Sequence, residues 1–178
     1  MHFRSSKVFG YSAQAVFEAC LNKDNQVLFE TKMIYPEINY ETLKIGDQIP
    51  SQMIHDTYIE DLIETVVMYQ PDQVYASVLK RTGFTLRSDP APNSTPMSAA
   101  TIAAMRRELE NDEMPTALTL INVEEITPTQ CRLTLELKMQ YGPLSWLAQK
   151  VTRLFCPNFY RKEFFAIQNY LEATEGNT

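Results

Sequence analysis

The sequence predicts an α+β fold in which an antiparallel sheet is covered on one face by a long C-terminal helix. The segment 131–141, CRLTLELKMQY, alternates strictly between apolar and polar residues, which is typical of a strand with one buried face. The chain ends on the segment 141–173, where apolar residues recur at helical spacing. Most of the chain between the N-terminus and these elements is rich in β-branched and aromatic residues and predicts further strands.

The N-terminal region predicts a strand followed by a capped helix. The segment 2–11, HFRSSKVFGY, is expected to be extended, and Ser12 is expected to be the N-cap of a helix over AQAVFEACLN. The apolar stripe of this helix is formed by Val16, Phe17, Cys20 and Leu21. The following stretch 23–30, KDNQVLFE, is expected to add a short second helical turn.

The middle of the chain predicts a run of antiparallel strands. The segment 35–44 is expected to be extended and to enter a turn at IGDQIP, and 51–70 is long enough for two strands or one bent strand. A turn at 71–72 leads to a strand over 73–87. The clearest pair of strands is ALTLINVEEI and CRLTLELKMQY, joined as a hairpin by TPTQ.

The segment 88–114 interrupts this series of strands within a single domain of 178 residues. It begins with a proline-rich polar run and becomes helical, with Ile102, Met105 and Leu109 on one face. We interpret it as an insertion that either decorates the sheet edge or acts as a lid over a binding site. Its apolar stripe also allows pairing with a partner or a second copy of the chain.

The last helix is expected to kink at Pro157. The apolar stripes before and after this residue would be offset by about 140° on a straight helix, so one surface could not receive both. Proline removes a backbone donor and clashes with the preceding turn, which supplies the break. We therefore expect a short helix, a kink, and a long helix lying across the sheet.

Composition and charge exclude several classes of function. The net charge of −6 argues against a nucleic-acid partner, because an acidic surface repels phosphate groups. No signal peptide and no membrane-spanning apolar run is recognisable, and three widely spaced cysteines fit free thiols in the cytoplasm. The five glycines form no phosphate-binding loop, and two distant histidines predict no metal site and no cofactor.

The order of elements and several segments resemble the START-like or SRPBCC superfamily, in particular its polyketide cyclase/dehydrase and lipid transport branch. The similar segments are FGYSAQAVFEACLN, YPEINYETLKIGDQIP and the YGPL entry into the last helix. The resemblance covers nearly the whole chain and implies a helix-grip fold, in which a curved seven-stranded antiparallel sheet wraps around a long C-terminal helix and a deep pocket. The insertion at 88–114 departs from the compact family pattern. Because members of the family bind lipids, sterols, polyketides or hormones, and some catalyse cyclisation or dehydration, the fold leaves the chemistry open.

Two residues are candidates for acid/base catalysis. His55 shares a strand phase with Met53 and Ile59, and its reference pKa lies near neutrality, although a hydrogen-bonded strand histidine is the simpler interpretation. Glu124 would lie at the cavity edge if Leu118 and Leu120 face inward. Ile121 and Val123 form a rival apolar phase on the same strand, and a solvated rim carboxylate is the simpler interpretation of Glu124.

The sequence supports three hypotheses of function. The first is binding or transport of a hydrophobic small molecule in a cavity between sheet and helix, which requires an apolar cavity of several hundred Å³. Its expected lining residues are Leu135, Leu137, Met139 and Tyr141 on the last strand and Tyr160, Phe164, Ile167 and Leu171 on the helix. The second is a cyclase or dehydratase that uses His55 or Glu124 inside that cavity. The third is an interaction module, with an exposed apolar patch on the insertion helix and a homodimer as one outcome.

Overall fold

Among the residues that the structure describes, eight antiparallel strands form one curled sheet, and three helices accompany it. The computed structural model describes residues 2–22, 27–28, 31–92, 94–111, 116–139 and 160–175. In chain order, the elements are β1 His2–Phe9, α1 Ala13–Leu21, β2 Val27–Leu28, β3 Thr31–Ile34, β4 Gln48–Ile54, β5 Tyr58–Gln70, β6 Val74–Leu86, α2 Ala99–Glu110, β7 Thr116–Thr127, β8 Gln130–Met139 and α3 Arg161–Glu175. The strand order across the sheet is β1-β8-β7-β6-β5-β4-β3-β2, so β1 and β8 pair although they lie at opposite ends of the chain.

The inner face of the sheet carries the apolar core, and β8 shows it most clearly. Cys131, Leu133, Leu135, Leu137 and Met139 are all buried, whereas Arg132 and Lys138 between them are exposed. The predicted alternation is confirmed for the apolar phase of this strand, but Thr134 and Glu136, in the phase expected to face solvent, are buried and half-buried. Strands β7 and β8 form the predicted hairpin with continuous pairing from Ala117↔Met139 to Glu125↔Cys131.

Helices α1 and α3 cover the inner face together. Ser12 caps α1, and its side-chain oxygen accepts a hydrogen bond from the amide of Ala15 at 3.2 Å. On α3, buried Phe164, Ile167 and Leu171 recur at spacings of three and four and join one core cluster with α1 and the sheet. The predicted N-cap and the predicted apolar face of the last helix are therefore confirmed.

Two segments of the N-terminal half differ from the expectation. Val27–Leu28 pairs with β3 as a short strand instead of forming a helical turn, which gives the sheet eight strands where seven were expected. The segment 35–47 contains no strand, because Asn39 forms a turn in which its side-chain oxygen accepts from the amide of Glu41 at 3.0 Å. Local side-chain hydrogen bonding thus replaced the pairing that an extended segment would need.

The long segment 51–70 belongs to two strands. β4 and β5 are joined by a tight turn in which the amide of His55 donates to the carbonyl of Tyr58 at 2.9 Å. The turn between β5 and β6 includes Asp72 with a φ of 62°, and the turn before β4 includes Gly46 with a φ of 94°, a conformation that glycine adopts without strain. These turns return each strand antiparallel to its neighbour.

The insertion helix α2 lies against β6. Its N-cap is Ser98, whose side-chain oxygen accepts from the amide of Thr101 at 3.1 Å. Met105 is buried, and Ile102 and Leu109 are half-buried. The expected exposed apolar patch on this helix is therefore wrong, because the stripe is largely covered.

The first part of the predicted C-terminal helix, including Pro157 and its expected kink, lies outside the described residues. None of the helices that the structure describes is long and apolar enough to cross a membrane.

Candidate functional site

A cavity of about 120 Å³ lies between the inner face of the sheet and the start of α3. Its wall combines apolar side chains with a few polar ones, as in many small-molecule sites. The described lining residues are Cys20, Met33, Tyr35, Glu64, Tyr75, Leu79, Thr119, Leu120, Ile121, Leu135, Glu136, Leu137, Tyr160, Glu163 and Ile167. The volume is below the several hundred Å³ expected, and it matches the space that one aromatic ring occupies in a protein core.

Half of the predicted lining residues lie on this cavity. They are Leu135, Leu137, Tyr160 and Ile167. The structure places Met139, Phe164 and Leu171 in the packed core cluster instead, all of them buried. Tyr141 lies outside the described residues.

The polar part of the wall is centred on Glu64 in the middle of β5. Glu64 is only 5% exposed, and its Oε1 accepts hydrogen bonds from the hydroxyls of Tyr75, at 2.8 Å, and Ser77. The hydroxyl of Tyr35 also bonds this carboxyl. Thr119 extends the cluster, with its Oγ1 at 2.7 Å from Ser77 Oγ. Register explains the arrangement, because Glu64 pairs with Leu79 and Ser77 pairs with Thr119 across neighbouring strands.

Burial and hydrogen bonding act on the Glu64 carboxyl in opposite directions. Burial raises the pKa of Glu64, and the three hydroxyl donors lower it only in part. Burial also raises the pKa of Tyr75, with the Glu64 charge adding to the effect. Burial also raises the pKa of Tyr35, so Tyr35 and Tyr75 stay protonated and donate to the Glu64 carboxyl.

A second carboxyl, that of Glu163, lies on the helix side of the cavity. Glu163 is in the first turn of α3, where it is half-buried. Burial raises the pKa of Glu163 to about 7, while the backbone amide and Lys162 lower it only in part. Tyr160 beside it is buried, and burial together with the Glu163 charge raises the pKa of Tyr160. A carboxyl with a pKa near neutrality is suited to giving and taking protons.

His55 belongs to a different polar cluster, centred on Glu60. Glu60 is 5% exposed, forms an ion pair with Arg81 and is hydrogen-bonded to His55, whose Nε2 lies 3.0 Å from Glu60 Oε2. The His55 ring stacks on Tyr58 with ring centroids 4.1 Å apart. Burial and the charge of Arg81 lower the pKa of His55. His55 is not among the described cavity-lining residues, so the hydrogen-bonded strand-end histidine is the better interpretation.

Glu124 lies on the outer face of the sheet. Its side chain is 60% exposed and pairs with Arg132 at 2.8 Å. The rival phase of β7 faces inward, since Val123 is buried and Ile121 lines the cavity. The interpretation of Glu124 as a cavity-edge residue is therefore wrong, because Glu124 is not among the described residues that line the cavity, although Leu120 of the same strand phase is.

The sequence reasoning missed Glu64 and Glu163. In β5, Glu64 shares its phase with Leu62 and Val66, and a charged residue within an apolar phase is a signal for a buried functional group. The opposite phase of the same strand contains Ile59 and Ile63, so the sequence offered two apolar faces of similar strength. Glu163 carried no signal of its own, because charged residues are common in the first turn of helices.

The part of the chain that the structure describes contains no cluster of metal-binding side chains. No three His, Cys, Asp or Glu side chains there lie close enough together to hold a metal ion. Cys20 and Cys131 are buried, and burial raises the pKa of both thiols. Protonated, buried thiols are poor nucleophiles and poor metal ligands.

The fold resembles those of several solved structures. A conserved protein from Geobacillus kaustophilus has a TM-score of 0.59 at 12% identity, with 98% of this chain and 97% of that chain covered. A protein from Arthrobacter aurescens has a TM-score of 0.60 at 10% identity, covering 97% and 86% of the two chains. Ara h 8.0201 has a TM-score of 0.53 at 10% identity, covering 97% and 98%. At such low identities the likeness concerns the fold alone.

No protein-family model and no curated protein matches the sequence. The curled antiparallel sheet, its strand order and the C-terminal helix, together with these similar structures, identify the fold as an α+β fold of the helix-grip type.

Proposed function

We propose that this protein binds a hydrophobic small molecule, of lipid or polyketide type or similar, in the cavity between the sheet and α3. The observation that carries this proposal is a cavity between the sheet and α3 whose wall is mainly apolar but contains the buried Glu64 cluster. Apolar walls supply affinity through the hydrophobic effect, and a few placed polar groups orient the ligand. A volume of about 120 Å³ suits a small ring or the ring of a larger ligand.

The resemblance to the START-like superfamily supports the same proposal. Members of that family hold apolar ligands between the sheet and the C-terminal helix, which is where this cavity lies. Membership of this chain in the superfamily is part of the proposal, because the similar structures support the fold alone.

The experiment that tests the proposal compares two substitutions to tryptophan. Leu135 lines the cavity from β8, and Leu118 lies on the outer face of β7. Leu135→Trp is expected to fill the cavity and abolish binding of a small neutral ring compound such as indole, measured by calorimetry and ligand-observed NMR. Leu118→Trp is the matched control and is expected to bind as the wild type does. Equal binding by both variants, or no binding by the wild type, would overturn the proposal.

Organic extraction of the purified protein, followed by mass spectrometry, would identify the natural ligand. A lipid-like or polyketide-like mass that accompanies the wild type and is missing from Leu135→Trp would support binding in this cavity. The same mass on both proteins would place the ligand elsewhere and contradict the proposal.

A second candidate function is catalysis of a cyclisation or dehydration in the same cavity. The observation that favours it is Glu163, a cavity-lining carboxyl with a pKa of about 7, which is the range of effective acid/base catalysts. In this proposal Glu163 takes the role that the sequence assigned to His55 or Glu124. Incubation of the extracted ligand with wild type and Glu163→Gln is expected to give a product, detected by mass, with the wild type alone. A product formed equally by both proteins would exclude Glu163 as the acid/base.

The proposal includes a cytoplasmic location, supported by the buried cysteines Cys20 and Cys131, which form no disulfide with each other. A homodimer is a further proposal. Light scattering after size-exclusion chromatography tests the dimer directly. A monomer mass at micromolar concentrations would contradict it.

A further inference from the structure

The inner face of the sheet contains two buried carboxyls on one strand, and they are stabilised in different ways. Glu60 and Glu64 lie four residues apart on β5 and are each 5% exposed. Glu60 has a cationic partner in Arg81, and His55 also contacts its carboxyl. Glu64 has neutral hydroxyl donors, and no cation contacts it among the described residues. A buried carboxylate without a counter-charge is costly, so this difference is informative.

The hydroxyl groups around Glu64 orient its carboxyl as an acceptor. Tyr75, Ser77 and Tyr35 each donate to it. An ionised carboxylate offers about four acceptor positions, so about one of them remains for a ligand donor. The carboxyl is therefore held in place by the protein while part of its accepting capacity is unused.

Among acidic and basic residues, the described part of the cavity wall contains only acidic ones. Glu64 stands on the sheet side and Glu163 on the helix side, and the described lining residues include no Lys, Arg or His. The third acidic residue in the wall, Glu136, forms an ion pair with Lys138 at 2.7 Å and contacts His2 at 3.0 Å. An electrostatic field of this kind favours a cationic group and disfavours a carboxylate or phosphate in the ligand.

We propose that the ligand of this cavity is an apolar molecule carrying a protonated amine, with Glu64 as the counter-charge of that amine. The inference rests on the proposed function and deepens it, because it names the class of ligand. The ammonium donates to the remaining acceptor position of Glu64, and the apolar part of the ligand contacts Leu135, Leu137 and Ile167. Burial raises the pKa of Glu64, and a neighbouring cation reverses that effect by favouring the ionised carboxylate.

The test uses three compounds of similar size and shape that differ in charge. They are 2-phenylethylamine, 2-phenylethanol and 3-phenylpropionate, each titrated into the full chain near neutral pH by calorimetry. We expect the amine to bind about tenfold or more tightly than the alcohol, as a charge-assisted hydrogen bond permits, and the carboxylate to bind most weakly. Glu64→Gln is expected to remove the preference for the amine and to keep the affinity for the alcohol. Glu124→Gln, the same substitution on the outer face of the sheet, is expected to keep the preference for the amine over the alcohol.

The outcomes separate this inference from the proposed function. Equal affinity for amine and alcohol, or tightest binding of the carboxylate, would overturn the amine inference while leaving a cavity that binds apolar molecules. An amine preference that survives in Glu64→Gln would overturn the assignment of Glu64. Absence of binding by all three compounds would overturn both. If Glu64→Gln does not fold, the order of the three affinities in the wild type still decides the question of charge.

Discussion

Replacing Glu163 with glutamine is expected to change how the stability of the protein depends on pH. Burial raises the pKa of Glu163 from 4.5 to about 7, so the folded protein keeps a proton that the unfolded chain has already released in this range. Between the two values the folded state binds more protons than the unfolded state, and the free energy of unfolding of the wild type falls as the pH rises. Below this pH range the Glu163 carboxyl is neutral in both the folded and the unfolded state, and it does not change the free energy of unfolding with pH.

The magnitude follows from the size of the pKa shift and from the position of the side chain. One pKa unit corresponds to about 1.4 kcal/mol of free energy. The full shift of the Glu163 pKa would therefore change the free energy of unfolding by roughly 3 kcal/mol. Glu163 is half-buried at the start of α3, and solvent screening reduces the expected effect to about 1–2 kcal/mol. The glutamine variant lacks this titration, so its stability relative to the wild type should rise by that amount from about pH 5 to about pH 8.

Urea denaturation of both proteins at the two pH values measures this difference, because the titration of all other groups cancels in the comparison. Glu172→Gln is a suitable control, since Glu172 is exposed on the same helix. The relative stability of the control should change by less than about 0.5 kcal/mol between the two pH values. A constant relative stability of Glu163→Gln, or one that falls with rising pH, would refute the reasoning that burial governs this carboxyl.

Three further substitutions test the geometry of the site and the core. Tyr75→Phe removes a hydroxyl that donates to Glu64 at 2.8 Å. This substitution should lower the free energy of unfolding by about 1–3 kcal/mol. It should also raise the pKa of Glu64 further, which a carbon-detected NMR titration would follow. Leu137→Ala removes a fully buried side chain and should cost about 2–5 kcal/mol in urea denaturation, whereas Phe165→Ala, on the exposed side of α3, should cost far less. A similar loss from both alanine variants would contradict the assignment of the inner face. Glu124→Gln breaks an exposed ion pair and should change stability by less than about 1 kcal/mol, so a larger loss would show that this residue is not solvated as described.

Local patterns in the chain were sufficient to predict much of the fold. The alternation in β8 predicted that its apolar residues are buried, because side chains on one face of a strand recur every two residues. Ser12 marked the start of α1, because its side chain can satisfy a helix amide that has no partner within the helix. Each of these signals depends on residues within a few positions of one another, and the sequence therefore contains it in full.

The signals that failed depend on competition between local alternatives. The segment at 35–44 was expected to be extended, but Asn39 favours a turn by bonding the amide of Glu41. On β7, Leu118 and Leu120 compete with Ile121 and Val123 for the inner face, and composition does not separate the two phases. Pairing with β6 and β8 decided between them, because Thr119 opposes Ser77 and Val123 opposes Leu133.

By itself, the sequence determined the fold class, the covering helix and part of the cavity wall, including Leu135, Leu137 and Ile167, since these follow from periodicity along single elements. Only the tertiary structure decided that Glu64 is the polar centre of the cavity. Its hydroxyl partners come from other parts of the chain, and strand register together with a β-bulge between Val66 and Met68 brings Tyr75 and Ser77 to it. The role of a charged residue depends on what surrounds it in three dimensions, because burial and counter-charge, rather than residue type, set the free energy of its ionised form.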